Sequence, residues 1–182
     1  MSPSDVDSVD SVADPEEMAE AILRGDDDYV IPEGLVEEPT PAITAKNLHH
    51  EIMALSIGQR LKLALKGNRD ARSILIHDAN PMIQRFVLRN PRLSEEEALQ
   101  FAKNRNLDSE VMVIIGKRKE WARNNNIRLA LVTNPKTPLA LALRFVSTLS
   151  EREVRALAKN RNVPAAVTGA ARRMIDTGKF KR

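Results

Sequence analysis

The chain has 182 residues, 42 % hydrophobic but only 3 % aromatic, with a formal net charge of +3. That length and composition suit one medium domain plus a tail, with a core resting on Leu, Ile, Val and Ala, which favours helix packing over sheets. The lack of cysteine excludes disulfides, thiolate metal sites, iron–sulfur clusters and cysteine nucleophiles; no apolar run approaches the roughly 20 residues that span a bilayer, and the opening Ser, Asp and Val residues are unlike a secretory signal, so the expected location is the cytoplasm.

The net charge hides an asymmetry. Residues 1–45 carry 13 acidic side chains and one basic one, for −12, and residues 46–182 carry 27 basic and 12 acidic ones, for +15. An acidic tail on a basic body follows. Residues 1–43 are expected as an acidic, disordered tail. Within it, Asp14-Pro15-Glu16-Glu17 reads as a helix start, with Asp14 as the cap and Gly25 as the stop, giving a short helix at 14–24. From Asp26 to Pro41 the chain is acidic and broken by Pro32, Pro39 and Pro41, and reads as an extended linker.

From Thr44 the pattern changes to short apolar-periodic stretches of roughly ten residues separated by Asn, Pro, Ser or Asp. Ser56 with Gln59, Ser94 with Glu97 and Ser150 with Glu153 have capping-box spacing. Thr137-Pro138 and Val163-Pro164 place Pro in a first turn, and Gly67 and Asn104 sit where a helix ends. About nine short helices are expected between 44 and 176, with Val111 to Ile115 the one stretch β-branched enough to suggest a strand. Residues 177–182 read as a basic C-terminal tail. The stretches also repeat: S-E-E-E-A-L-Q-F-A-K-N-R-N from Ser94 to Asn106 is matched, 56 residues later, by S-E-R-E-V-R-A-L-A-K-N-R-N from Ser150 to Asn162. Asn-Pro recurs at 80–81, 90–91 and 134–135. Self-similar short helices predict an all-α helical solenoid over 44–176.

Ile127 to Pro138, followed by Leu139 to Leu143, resembles the leucine-rich repeat variant, whose units run V-R-x-x-V-A-x-N-P-x-T-P before an apolar helix. Weaker copies are Ile83 to Leu99, with Gln84 where Arg is expected, and Val154 to Val167, where Arg161-Asn162 replaces Asn-Pro. The resemblance spans residues 75–170 and implies a right-handed superhelix of short helices, HEAT-like in shape. It implies no activity, and the cysteine-rich iron–sulfur segment of the founding family has no counterpart here. The order of motifs from Ala64 through Trp121 also resembles bacterial helical-repeat proteins of no assigned function.

Signals for chemistry are sparse. His49-His50-Glu51 and His77-Asp78 are the histidine sites, and neither has a second ligand cluster at metal spacing. Gly-x-Ser-x-Gly and the Walker loop are absent from the sequence. No cofactor is implied. Trp121 suits packing between repeats, and Glu95 to Glu97 suit the positive end of a helix dipole.

The basic residues are more informative, because many fall in or just after a predicted last helical turn. Dipole complementation explains each singly but does not require +15 overall. In stacked repeats, Lys103 and Arg105 share a rim with Lys159 and Arg161. Arg85, Arg89, Lys103, Arg105, Arg128, Lys159 and Arg161 are the candidate binding residues; Arg128, like Arg155, also matches the repeat's own Arg and can brace neighbouring helices. The expected function is a non-enzymatic protein-binding scaffold with an acidic protein partner. The alternative is sequence-independent nucleic-acid binding through the same rim, which the scarcity of aromatics for base stacking disfavours. Docking of residues 1–43 on the basic body is a third use of that charge. No membrane partner is expected.

Overall fold

A computed structural model describes residues 14–37 and 45–178. Among these residues every regular element is helical: α1 (Pro15–Arg24), α2 (Ala45–Ala54), α3 (Ile57–Lys66), α4 (Arg69–Leu75), α5 (Pro81–Arg89), α6 (Glu95–Lys103), α7 (Ser109–Lys117), α8 (Lys119–Ala122), α9 (Asn125–Thr133), α10 (Leu139–Val146), α11 (Glu151–Lys159) and α12 (Ala165–Asp176), with a 3-10 turn at Glu33–Leu35. None is long and apolar enough to cross a membrane.

Local side chains set the boundaries. Asp14 Oδ1 accepts from the Glu16 N–H at 2.9 Å and Pro15 opens α1, while Gly25, at φ 86°, ends it in the left-handed conformation that glycine adopts without strain. All three capping boxes form: Ser56 with Gln59, Ser94 with Glu97 and Ser150 with Glu153. Asn68, Asn80, Asp108 and Asn124 cap α4, α5, α7 and α9. Val111 to Ile115 lies inside α7, not in a strand: its capped start and the burial of Val111, Met112 and Ile115 outweigh β-branching. From α2 to α12 there are eleven described helices against about nine expected, because α4 and α8 are too short for periodicity to reveal.

The helices stack in two series. In one, α3 packs on α5, α5 on α7 and α10 on α12. A Cβ on Gly116 of α7 would fall 2.8 Å from Leu141 Cδ2 of α10, so Gly116 allows the contact that links these pairs. In the other series α2 meets α4 and α6 meets α9, while Arg72 joins α4 to Glu97 of α6 and Asn125 joins α9 to Glu153 of α11. Neighbours in sequence bind the two series together, as α4 with α5, α9 with α10 and α11 with α12. Leu, Ile, Val and Ala fill the space between, with Phe86, Phe101, Phe145 and Trp121 as the buried rings.

Side chains from the next helix satisfy carbonyls at helix C-termini, which a helix leaves unpaired. Asn90 Nδ2 donates to Ala64 O and Gly67 O at 2.9 and 3.2 Å. Arg118 donates to Leu88 O at 3.1 Å, Arg144 to Gly116 O at 3.0 Å and Arg172 to Ala158 O at 3.1 Å. Asn134 Nδ2 donates to Ala102 O and Asn104 O at 2.8 and 2.9 Å.

The 56-residue spacing seen in the KNRN segments extends to whole helices. The starts of α4 and α9, α6 and α11, and α7 and α12 are each 56 positions apart. So are the caps Asn68 and Asn124, the cations Arg72 and Arg128, and the carboxylates Glu97 and Glu153.

Residues 14–37 lie against the body, where the sequence suggested a disordered tail with an extended linker. Ile22 and Leu35 are 1 % and 2 % exposed, and α1 packs on α3. The stretch after α1 is held mainly through its backbone: Gln59 donates to Val30 O at 2.7 Å, Lys62 to Tyr29 O at 2.6 Å, Arg92 to Val36 O at 2.7 Å, and Asn68 to Gly34 O and Glu37 O, both at 3.2 Å. Lys62 also pairs with Asp27 at 2.8 Å, and Arg89 pairs with Glu16. The rest of the expected tail, 1–13 and 38–43, and residues 179–182 of the expected C-terminal tail lie outside the described residues.

Candidate cationic edge and apolar groove

Three helices of the second series, α6, α9 and α11, end side by side. Asn134, just after α9, bonds the carbonyls of Ala102 and Asn104 at the end of α6. Lys103 of α6 and Asn160, just after α11, line one groove. The chain leaves each helix by the same turn, in which an Asn side-chain oxygen accepts the N–H two residues on: Asn104 from Asn106 at 2.9 Å, Asn134 from Lys136 at 2.9 Å and Asn160 from Asn162 at 2.8 Å. At these three neighbouring helix ends stand Lys103 and Arg105, Lys136, and Lys159 and Arg161, all exposed, which together make up the candidate edge. Among the described residues none of the five forms an ion pair, whereas Arg60, Lys62, Arg69, Arg72, Arg85, Arg89 and Arg155 all do.

The seven candidates from the sequence therefore separate. Lys103, Arg105, Lys159 and Arg161 share the edge. Arg85 and Arg89 project from α5 in the other series, where Arg85 pairs with Glu110 at 2.8 Å and Arg89 with Glu16. Arg128 lies within α9 and donates to Asn125 Oδ1 at 3.1 Å, and Asn125 in turn donates to Glu153. Lys136 joins the edge but was missed, because its place depends on α9 lying between α6 and α11. The Asn-Pro before it was the available signal.

Beside the edge runs a groove of about 570 Å³ between α6, α9 and α11, with Leu99, Leu129, Ala130, Ala156 and Leu157 as its apolar lining. Asn126 and Glu153 stand at the end where α9 and α11 begin, and Lys103, Thr133 and Asn160 where they finish. Burial pushes the Glu153 carboxyl up, but donation from the Ser150 hydroxyl, the Ser150 N–H and Asn125, with the charge of Arg128, outweighs it and holds Glu153 below its ordinary range. The groove is thus anionic at one end and cationic at the other. A second groove of about 820 Å³ between α11 and α12 is lined by Ala158, Val163 and Ala165 together with Lys159, Arg161, Thr168 and Arg172, and shares Asn160 with the first.

No protein-family model, curated protein or solved structure matches the chain.

The arrangement can attract anions and cover apolar side chains. Glu153, the carboxylate in the groove, is committed to its cap, accepting from the Ser150 hydroxyl at 2.6 Å and the Ser150 N–H at 2.9 Å. Among the described residues no group of three His, Cys, Asp or Glu side chains could hold a metal ion. His49 and His50 are exposed on α2, and His77 Nε2 lies 3.5 Å from Asn104 Nδ2.

Proposed function

We propose that this chain is a non-enzymatic, cytoplasmic binding scaffold that uses the edge of Lys103, Arg105, Lys136, Lys159 and Arg161 to hold an acidic segment of another protein. The observation that carries the reading is the repeated Asn turn, which lines these unpaired cations beside an apolar groove. Stacking of equivalent helix ends gathers these cations, and gathered like charges without acidic partners focus a positive potential. The two series of helices, their carbonyl-to-side-chain links and the 56-residue repeat also support a helical solenoid, and the resemblance to the leucine-rich repeat variant implies a right-handed one.

Nucleic acid is the second reading, since Lys and Arg bind phosphate without regard to sequence. The burial of Phe86, Phe101, Trp121 and Phe145 favours the protein partner, because single strands bind by stacking on exposed rings. The described part of the acidic arm meets Lys62, Arg89 and Arg92 and leaves the edge open.

Fluorescence anisotropy with a labelled run of Glu residues and with random duplex DNA, each titrated with salt, tests the proposal. Binding of the acidic peptide that weakens with salt supports it. Binding of DNA alone, with a steep salt slope, transfers the edge to the second reading.

A further inference from the structure

The two grooves are neighbours. Asn160 lines both, so the apolar groove between α6, α9 and α11 adjoins the groove between α11 and α12 at this residue. The far end of the apolar groove is closed to acids by Glu153, which its caps keep ionised. A ligand lying across both grooves therefore meets a negative charge and aliphatic side chains in the first, and three cations in the second. Arg172 is held at the second groove by its bond to Ala158 O, and Lys159 and Arg161 line the same groove.

We infer that the occupant is a peptide segment of two blocks, apolar residues followed along its length by a run of acidic ones. Its apolar side chains cover Leu129, Ala156 and Leu157, and its carboxylates lie over Lys159, Arg161 and Arg172. This inference rests on the proposed function and specifies the partner's chemistry. Charge complementarity selects the occupant: Glu153 disfavours an acidic block in the apolar groove, and an apolar block over the second groove would leave Lys159 and Arg161 without partners. A uniformly acidic chain fits half of the path, and a uniformly apolar chain the other half.

The test uses the full chain and three labelled synthetic peptides: a Leu/Ala block joined to a run of Glu, the same residues interspersed, and the Glu run alone. The two-block peptide is expected to bind about tenfold more tightly than the Glu run, from apolar burial alone. The interspersed peptide should gain little. Ala156→Trp, which fills the groove from an exposed position, should erase the gain while leaving Glu-run binding intact, and Leu129→Glu should do the same. Lys159→Glu with Arg161→Glu should weaken every peptide. Equal binding of the three peptides, or a gain that survives both groove variants, overturns the inference and leaves the cationic edge standing. Binding of none overturns the edge as well.

Discussion

Arg72 and Glu97 meet as a fork between α4 and α6, with Nε–Oε1 at 2.8 Å and Nη2–Oε2 at 2.9 Å, and they are only 1 % and 5 % exposed. Arg72 also donates to Gly67 O at 2.9 Å, just after α3, so one guanidinium ties together three helices. Glu97 meanwhile completes the capping box of α6. In the second half the matching charges, Arg128 and Glu153, are bridged by the Asn125 amide instead.

Arg72→Met should lower the unfolding free energy by about 3–5 kcal/mol, because it strands a buried carboxylate. Changing both partners, Arg72→Met with Glu97→Leu, should cost less than Arg72→Met alone. Urea denaturation of both single variants and the double variant checks this; a double loss equal to the sum of the two single losses would mean that the pair is not coupled.

Acid should weaken the fold through the same carboxyl. Burial pushes Glu97 up, but the hydrogen bonds and charge of Arg72, with the Ser94 N–H and hydroxyl, hold it below its ordinary value of 4.5. A carboxyl lowered in the folded state contributes stability above its unfolded value, and that contribution is lost as pH falls through the folded one. Stability should therefore decline on acidification below about pH 5, and Glu97→Gln should flatten the decline. A pH series of thermal melts on both proteins is the measurement.

Asn90 and Asn134 hold the stacked helix ends, each donating to two carbonyls. Replacing either with Ala should cost about 1–3 kcal/mol, since buried carbonyls lose their donors. Asn162→Ala, at an exposed position, should stay within about 0.5 kcal/mol of the native chain. Denaturant midpoints compare the three.

Leu35→Ala should cost about 2–5 kcal/mol, as truncation of a core side chain does. A loss below about 0.5 kcal/mol would show that residues 14–37 contribute little to the fold. Deleting 1–43 removes Ile22 and Leu35 from the core, so it alters stability along with charge. Glu16→Gln with Asp27→Asn isolates the charge of the arm.

Features that depend on neighbours in sequence were legible before the structure. Asp14, Gly25 and the three Ser capping boxes act within a turn or two, and the KNRN segments announced that α6 and α11 are equivalent. Features that depend on distant partners were not. Arg72 offers no sign of a carboxylate 25 positions away, and Asn68 and Asn124 sit in stretches too dissimilar to align by eye. The docking of 26–37 was hidden because its hydrogen bonds are accepted by backbone carbonyls, which every residue carries. That Lys103 with Arg105 and Lys159 with Arg161 stand at equivalent helix ends followed from the repeat, whereas the placement of Arg85, Arg89 and Arg128 away from those ends required the packing order of the helices.

The most direct test of the edge compares two variants of equal net charge: Lys103→Glu with Lys159→Glu on the edge, and Lys117→Glu with Lys119→Glu at the end of α7 and start of α8. Binding of the acidic peptide at low salt is measured for both. The edge variant should lose about tenfold or more in affinity while the other keeps its own; equal losses, or none in either, would contradict a localised binding edge.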